Sequence, residues 1–147
     1  MEMSLHQLLP ILQFSIGPVI LISGVGLLIL SMTNRFGRVI DRSRLLAVEL
    51  RTAEGPAREA ALAQLRVLSH RARLTRLAIF LAVLSVLFAA VLVITLFMQA
   101  LVGWDTGVPV VVFFICCMGT LIGALIAFLQ DINLSLTALQ VETGMDR

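Results

Sequence analysis

Ten arginines crowd into residues 33–76, TNRFGRVIDRSRLLAVELRTAEGPAREAALAQLRVLSHRARLTR. They are ten of the eleven basic residues in a chain of 147, and the chain contains no lysine. Four acids stand against them, Asp41, Glu49, Glu54 and Glu59, so the segment carries +6 (ten minus four) within a chain whose net charge is only +2. Guanidinium groups suit phosphates, which leaves nucleic acid or anionic headgroups as partners. The flanking sequence decides between them. Apolar runs long enough to cross a bilayer lie on both sides, so we read the block as a cytoplasmic loop beside anionic headgroups and expect no nucleic-acid partner. Arg35, Arg38, Arg42, Arg73 and Arg76, nearest those runs, form the expected lipid-contacting girdle.

Three further constellations are candidates. Gln13, Gly17, Gly24 and Ser31 fall at spacings of four, seven and seven, which places them near one helical face. Polar and small groups of this kind line pores, and they also let helices touch in a bundle; both readings stay open. Gly119, Gly123 and Ala127 repeat every four residues, a pattern that lets backbones approach closely in lipid. Asp131 closes the last apolar run and is placed either at a cytoplasmic vestibule or in an interfacial ion pair with Arg35 or Arg38, the pair being favoured.

Other signatures fail on residue type or spacing. His6 and His70 stand alone, and Cys116-Cys117, neighbours on a helix, point about 100° apart, which suits packing better than a disulfide or a metal site. No glycine-rich phosphate loop or nucleophile elbow occurs, and the Gly24–Gly26 triplet lies inside an apolar run. No apolar run carries an ionisable residue at its middle, which argues against a proton relay. The expectation is therefore no enzyme, no catalytic residue, no cofactor and no metal.

The elements that carry these residues follow from hydropathy. Apolar residues make up 59% of the chain and charged residues 14%, against about 45–50% and about 25% in soluble domains. We expect a single all-α membrane domain with three spans at 10–32, 77–102 and 108–130. A tail at 1–9 precedes them, a loop at 103–107 with an interfacial Trp104 joins the last two, and an amphipathic tail at 131–147 closes the chain. The first run is too long for a signal-peptide core, so it should be retained as a span. Gly17-Pro18 should kink it or mark an irregular start.

Within 33–76, Gly55-Pro56 divides two helices. Val39, Ser43, Leu46, Leu50 and Ala53 on the first, and Ala61, Leu65, Leu68, Ala72, Thr75 and Ile79 on the second, repeat with heptad spacing. Facing seams of this kind predict an antiparallel, coiled-coil-like helical hairpin. Nothing interrupts the helical pattern from 57 to 102, which predicts one helix of about 69 Å carrying a small-residue stripe of Ala78, Ala82, Ser85 and Ala89. With the arginines inside, the N-terminus is outside and the C-terminus inside.

The segment MTNRFGRVIDRSR at 32–44 resembles DUF2721, a family of uncharacterised bacterial integral membrane proteins. The matching pieces are Ser23 to Gly26, Thr33-Asn34-Arg35, Arg38, Asp41 and Arg42, with DINLSLTALQVE at 131–142. The resemblance implies one span ending in Thr-Asn-Arg, a cytoplasmic helical stretch, two further spans and a bacterial inner membrane. It implies no activity. Three small-residue stripes exceed what one three-helix bundle needs, so self-association or a larger complex is expected. The favoured reading is a homo-oligomer able to form a pore, its first span innermost. The alternative is an accessory or scaffold subunit whose hairpin docks a cytoplasmic partner.

Overall fold

The computed structural model describes residues 5–102 and 107–143, with side chains at 13, 15–99, 101–102 and 107–134. Three α-helices account for nearly all of it: α1, Leu5–Glu49; α2, Pro56–Val102; and α3, Gly107–Thr143. Trp104 and the loop centred on it lie outside the described residues, as do the first four and last four positions and the side chains of the expected amphipathic tail beyond 134.

The helices are longer than the spans they contain. α1 has 45 residues and carries the first apolar run and the first part of the arginine block without a break. The expected disturbance at Gly17-Pro18 does not end the helix. Proline there forfeits one backbone hydrogen bond, and an apolar helix tolerates that loss when its other backbone groups stay paired. α2, at 47 residues, is the uninterrupted helix expected from 57 onward, starting one residue earlier at Pro56. α3 continues past the end of its apolar run for a total of 37 residues.

The connection between α1 and α2 is built from local hydrogen bonds. Leu50, Arg51, Thr52 and Ala53 N–H groups donate to Leu46, Val48 and Glu49 carbonyls, and the Thr52 hydroxyl donates to the Glu49 carbonyl, so three of the last four carbonyls of α1 find donors in the connection. α1 thus ends five residues before the expected boundary at 54. Gly55 sits at φ +61°, a conformation that glycine adopts without a Cβ clash. Its carbonyl accepts from Arg58 and Glu59, which starts α2; Pro56 at the first helical position loses no needed donor.

Side chains pack in two compact units, each containing segments of all three helices. The first combines α1 up to Ile29 with Leu81–Gly123, and the second combines Leu30–Phe80 with α3 from Ala124. Buried positions recur every seven residues along each helix: Val25, Met32, Val39 and Leu46 on α1; Thr75, Ala82 and Ala89, and in parallel Ala78, Ser85 and Leu92, on α2; Cys117, Ala124 and Asp131 on α3. A seven-residue repeat keeps one face turned toward the neighbouring helices over many turns. Every member of the two expected seams, from Val39 to Ile79, is inside or half inside. Most of the buried α2 and α3 side chains are alanine, serine, threonine or cysteine, so the helices meet at close range.

Outside those seams the helices are apolar and exposed. Leu27 is 71% exposed and Val108 77%. Over the most apolar stretches of α1, α2 and α3 only 11%, 28% and 17% of residues are buried, and each helix is long and apolar enough to cross a membrane. Surface of that extent is unfavourable in water and ordinary in lipid.

Candidate functional site

Asp131 is the one acidic side chain that the described residues bury, at 1% exposure. It falls one heptad after Ala124 and two after Cys117, so the register that buries those small residues also turns the carboxylate inward. Two arginines meet it. Arg71 of α2 donates from Nε to Oδ1 at 3.5 Å, and Arg35 of α1 brings Nη2 to 3.7 Å from Oδ2. Arg35 also lies over the Phe128 ring, 5.4 Å from its centroid. The arginine side chains keep 28% and 21% of their surface, so the carboxylate is dry while its partners reach water along one edge. A carboxylate removed from water is stable only when opposite charge compensates it, and here two cations from two different helices do so.

Beside this cluster lies a cavity of about 240 Å³ lined by Arg35, Arg38, Val39, Arg42, Leu68 and Arg71. Four arginines thus line one small space whose lining contains no acid. Asp131 offsets one of the four charges and restrains two of the four side chains.

Residues 15–141 match the family described as protein of unknown function, DUF2721. The chain belongs to this family. The matched region contains Arg35, Arg71, Asp131 and the whole arginine block, together with most of each apolar helix. No curated protein and no solved structure matches the chain. With its three long apolar helices, this DUF2721 member is a multi-pass membrane protein.

The other sequence-predicted residues of the DUF2721 chain are distributed as follows. Gln13, Gly17, Gly24 and Ser31 are all exposed, and a Cβ added at Gly17 or Gly24 would meet nothing within 4 Å. The Gly119, Gly123 and Ala127 stripe is split. Ala127 is buried, and a Cβ at Gly123 would stand 3.3 Å from Leu81 Cδ1, whereas Gly119 is exposed with nothing near it. Of the arginine girdle, Arg35 is drawn into the Asp131 cluster, Arg38 and Arg42 line the cavity while remaining exposed, and Arg73 and Arg76 are exposed away from it.

Two features are hidden when the sequence is read by residue type alone. Arg71 lies one heptad before Ala78, in phase with Ser85 and Leu92; an arginine in a core phase is the signal that marks it. The second is Ser85 with Cys117. The Ser85 hydroxyl donates to the Cys117 carbonyl at 3.0 Å, and the Cys117 thiol donates to the Ser85 carbonyl at 3.3 Å, a reciprocal bond between α2 and α3. Both cysteines are free thiols, and Cys117 serves packing and hydrogen bonding. Among the described residues no group of three His, Cys, Asp or Glu is placed to hold a metal ion.

Proposed function

We propose that the chain is a homo-oligomeric protein of a bacterial inner membrane, with α1 facing the oligomer axis and a pore along it. The observation that supports this reading is a row of exposed small and polar residues on α1. Gln13, Gly17, Gly24 and Ser31 are exposed, and a Cβ added at Gly17 or Gly24 would meet nothing within 4 Å, so close backbone approach within one chain does not explain the two glycines. In lipid, exposed glycine gains nothing and costs helix propensity; against a second copy it permits close backbone approach. Gln13 and Ser31 near the two ends of that face would supply polar groups to a water-filled path. The arginine-bearing ends of α1 and α2 form the cytoplasmic hairpin, the N-terminus is outside and the C-terminus inside, as the arginine distribution favours. The reading assigns the chain no catalytic step, no cofactor and no nucleic-acid partner.

The test is the native mass of the detergent-solubilised particle together with conductance in planar bilayers. A mass of several protomers with discrete conductance is expected, and Gly24→Leu should reduce both. A monomeric particle whose bilayer traces match empty membrane would overturn the reading.

One observation favours a second role, docking of a partner by the hairpin. Leu45 and Val48 on α1 and Val67 on α2 are 58%, 64% and 48% exposed, although they lie in the arginine-rich region outside the most apolar stretches. Copurification of a stoichiometric second protein, lost on Leu45→Glu with Val48→Glu, is the outcome that would select this role.

A further inference from the structure

We propose that the cavity between Arg35, Arg38, Arg42 and Arg71 is a binding site for a phosphate monoester. The phosphate is carried either on a lipid headgroup or on a small soluble molecule. The inference deepens the membrane placement given above and is independent of the homo-oligomer and its pore.

Four observations converge on it. The lining is made by four arginines, Val39 and Leu68 with no acid, and Asp131 offsets one charge, leaving a surplus of three (four minus one). A phosphate monoester carries about −1.5 to −2 at neutral pH and a diester about −1, so the monoester neutralises more of that surplus. The volume of about 240 Å³ has room for a phosphate group and lies below the ~300 Å³ at which drug-sized pockets begin. Two of the four side chains are held in place before any ligand arrives: Asp131 takes Arg71 at Nε and Arg35 at Nη2, and Phe128 supports the Arg35 plane. Restrained guanidinium groups lose less entropy on binding than free surface arginines do.

Position along the helix supplies the fourth observation. Arg35 stands three residues past Met32, where the first apolar run ends, and Arg42 ten residues past it. At about 1.5 Å per residue these lie about 4.5 and about 15 Å beyond the hydrocarbon edge. The headgroup layer is roughly 5–8 Å deep on each side, so the Arg35 end of the cavity lies within that layer and the Arg42 end about 7–10 Å past it. A lipid phosphate reaches its inner arginines, and a soluble phosphate reaches it from water.

The experiment titrates the full chain in neutral detergent, with native mass spectrometry counting adducts per protomer. The probes are phosphatidic acid, phosphatidylglycerol, phosphatidylcholine and inorganic phosphate without lipid. One phosphatidic acid per protomer is expected, bound more tightly than phosphatidylglycerol and far more tightly than phosphatidylcholine. The exposed pair R38Q/R42Q should lower that affinity on the order of a hundredfold, each charge-assisted hydrogen bond being worth roughly a factor of ten. The control R73Q/R76Q, which removes the same charge outside the cavity, should lower the affinity distinctly less than R38Q/R42Q does.

If inorganic phosphate binds alone and displaces phosphatidic acid, the site is present and its ligand is a soluble phosphate. If only the lipid-borne group binds, the ligand is a headgroup. Equal binding of phosphatidic acid and phosphatidylcholine by the wild-type chain overturns the proposal, and that comparison holds even should R38Q/R42Q fail to fold. Equal losses in R38Q/R42Q and R73Q/R76Q overturn it as well, because attraction would then be diffuse. Adducts are counted per protomer, so a monomeric particle would remove the pore reading without touching this one.

Discussion

At the scale of single residues, the Asp131 cluster makes an asymmetric prediction. Asp131 is almost fully buried, whereas Arg35 and Arg71 keep part of their surface. Asp131→Asn leaves two cations that can turn toward water, which should cost about 2 kcal/mol. Replacing both arginines by methionine leaves an anion stranded in a dry site, which should cost about 3–5 kcal/mol. Thermal melts of the solubilised chain followed by circular dichroism should therefore rank R35M/R71M below D131N. The reverse order would mean that the arginines are held for some purpose other than compensating Asp131. Ser85→Ala removes the hydroxyl bond to the Cys117 carbonyl and should cost about 0.6–1.5 kcal/mol by the same melt. The Arg35 pairing was legible as one of two alternatives because both residues border apolar runs. Arg71 was not, because an arginine block viewed only as charge hides the phase of each member.

At the scale of elements, glycine separates turn from interface. Gly55 needs its positive φ, so Gly55→Ala should cost about 1–2 kcal/mol by the same melt. Gly24 is helical, and a Cβ there meets nothing. In an isolated protomer Gly24→Ala should raise stability by about 1 kcal/mol through helix propensity alone. In an oligomer meeting on that face it should instead weaken association, read as a shift of native mass toward smaller species. The two outcomes have opposite signs, which makes Gly24 the most economical probe of the proposed function. The heptad seams of 33–76 were legible because burial on a long helix imposes a period that residue type reveals. The continuity of α1 was not legible. Pro18 and the change from apolar to arginine-rich sequence both resemble boundaries, but neither prevents the backbone from pairing onward.

At the scale of the whole molecule, orientation gives a further prediction. Single cysteines introduced at Thr52 and, separately, near Gly107, in a chain whose Cys116 and Cys117 are replaced by alanine, should label differently in intact cells. A membrane-impermeant maleimide should reach position 107 and not position 52; the opposite pattern would invert the proposed topology. Three membrane-capable apolar runs, the arginine block between the first two and the division at Gly55-Pro56 were determined by the sequence alone. Hydropathy, charge and backbone permissiveness are properties of consecutive residues and need no knowledge of neighbours in space. Only the tertiary structure decided that Asp131 is buried against Arg35 and Arg71, that Gly123 and Ala127 serve the protomer while Gly119 does not, and that four arginines share one cavity. Those outcomes depend on the rotational phase at which separate helices meet, and that phase is set by close packing of small side chains far apart in the chain.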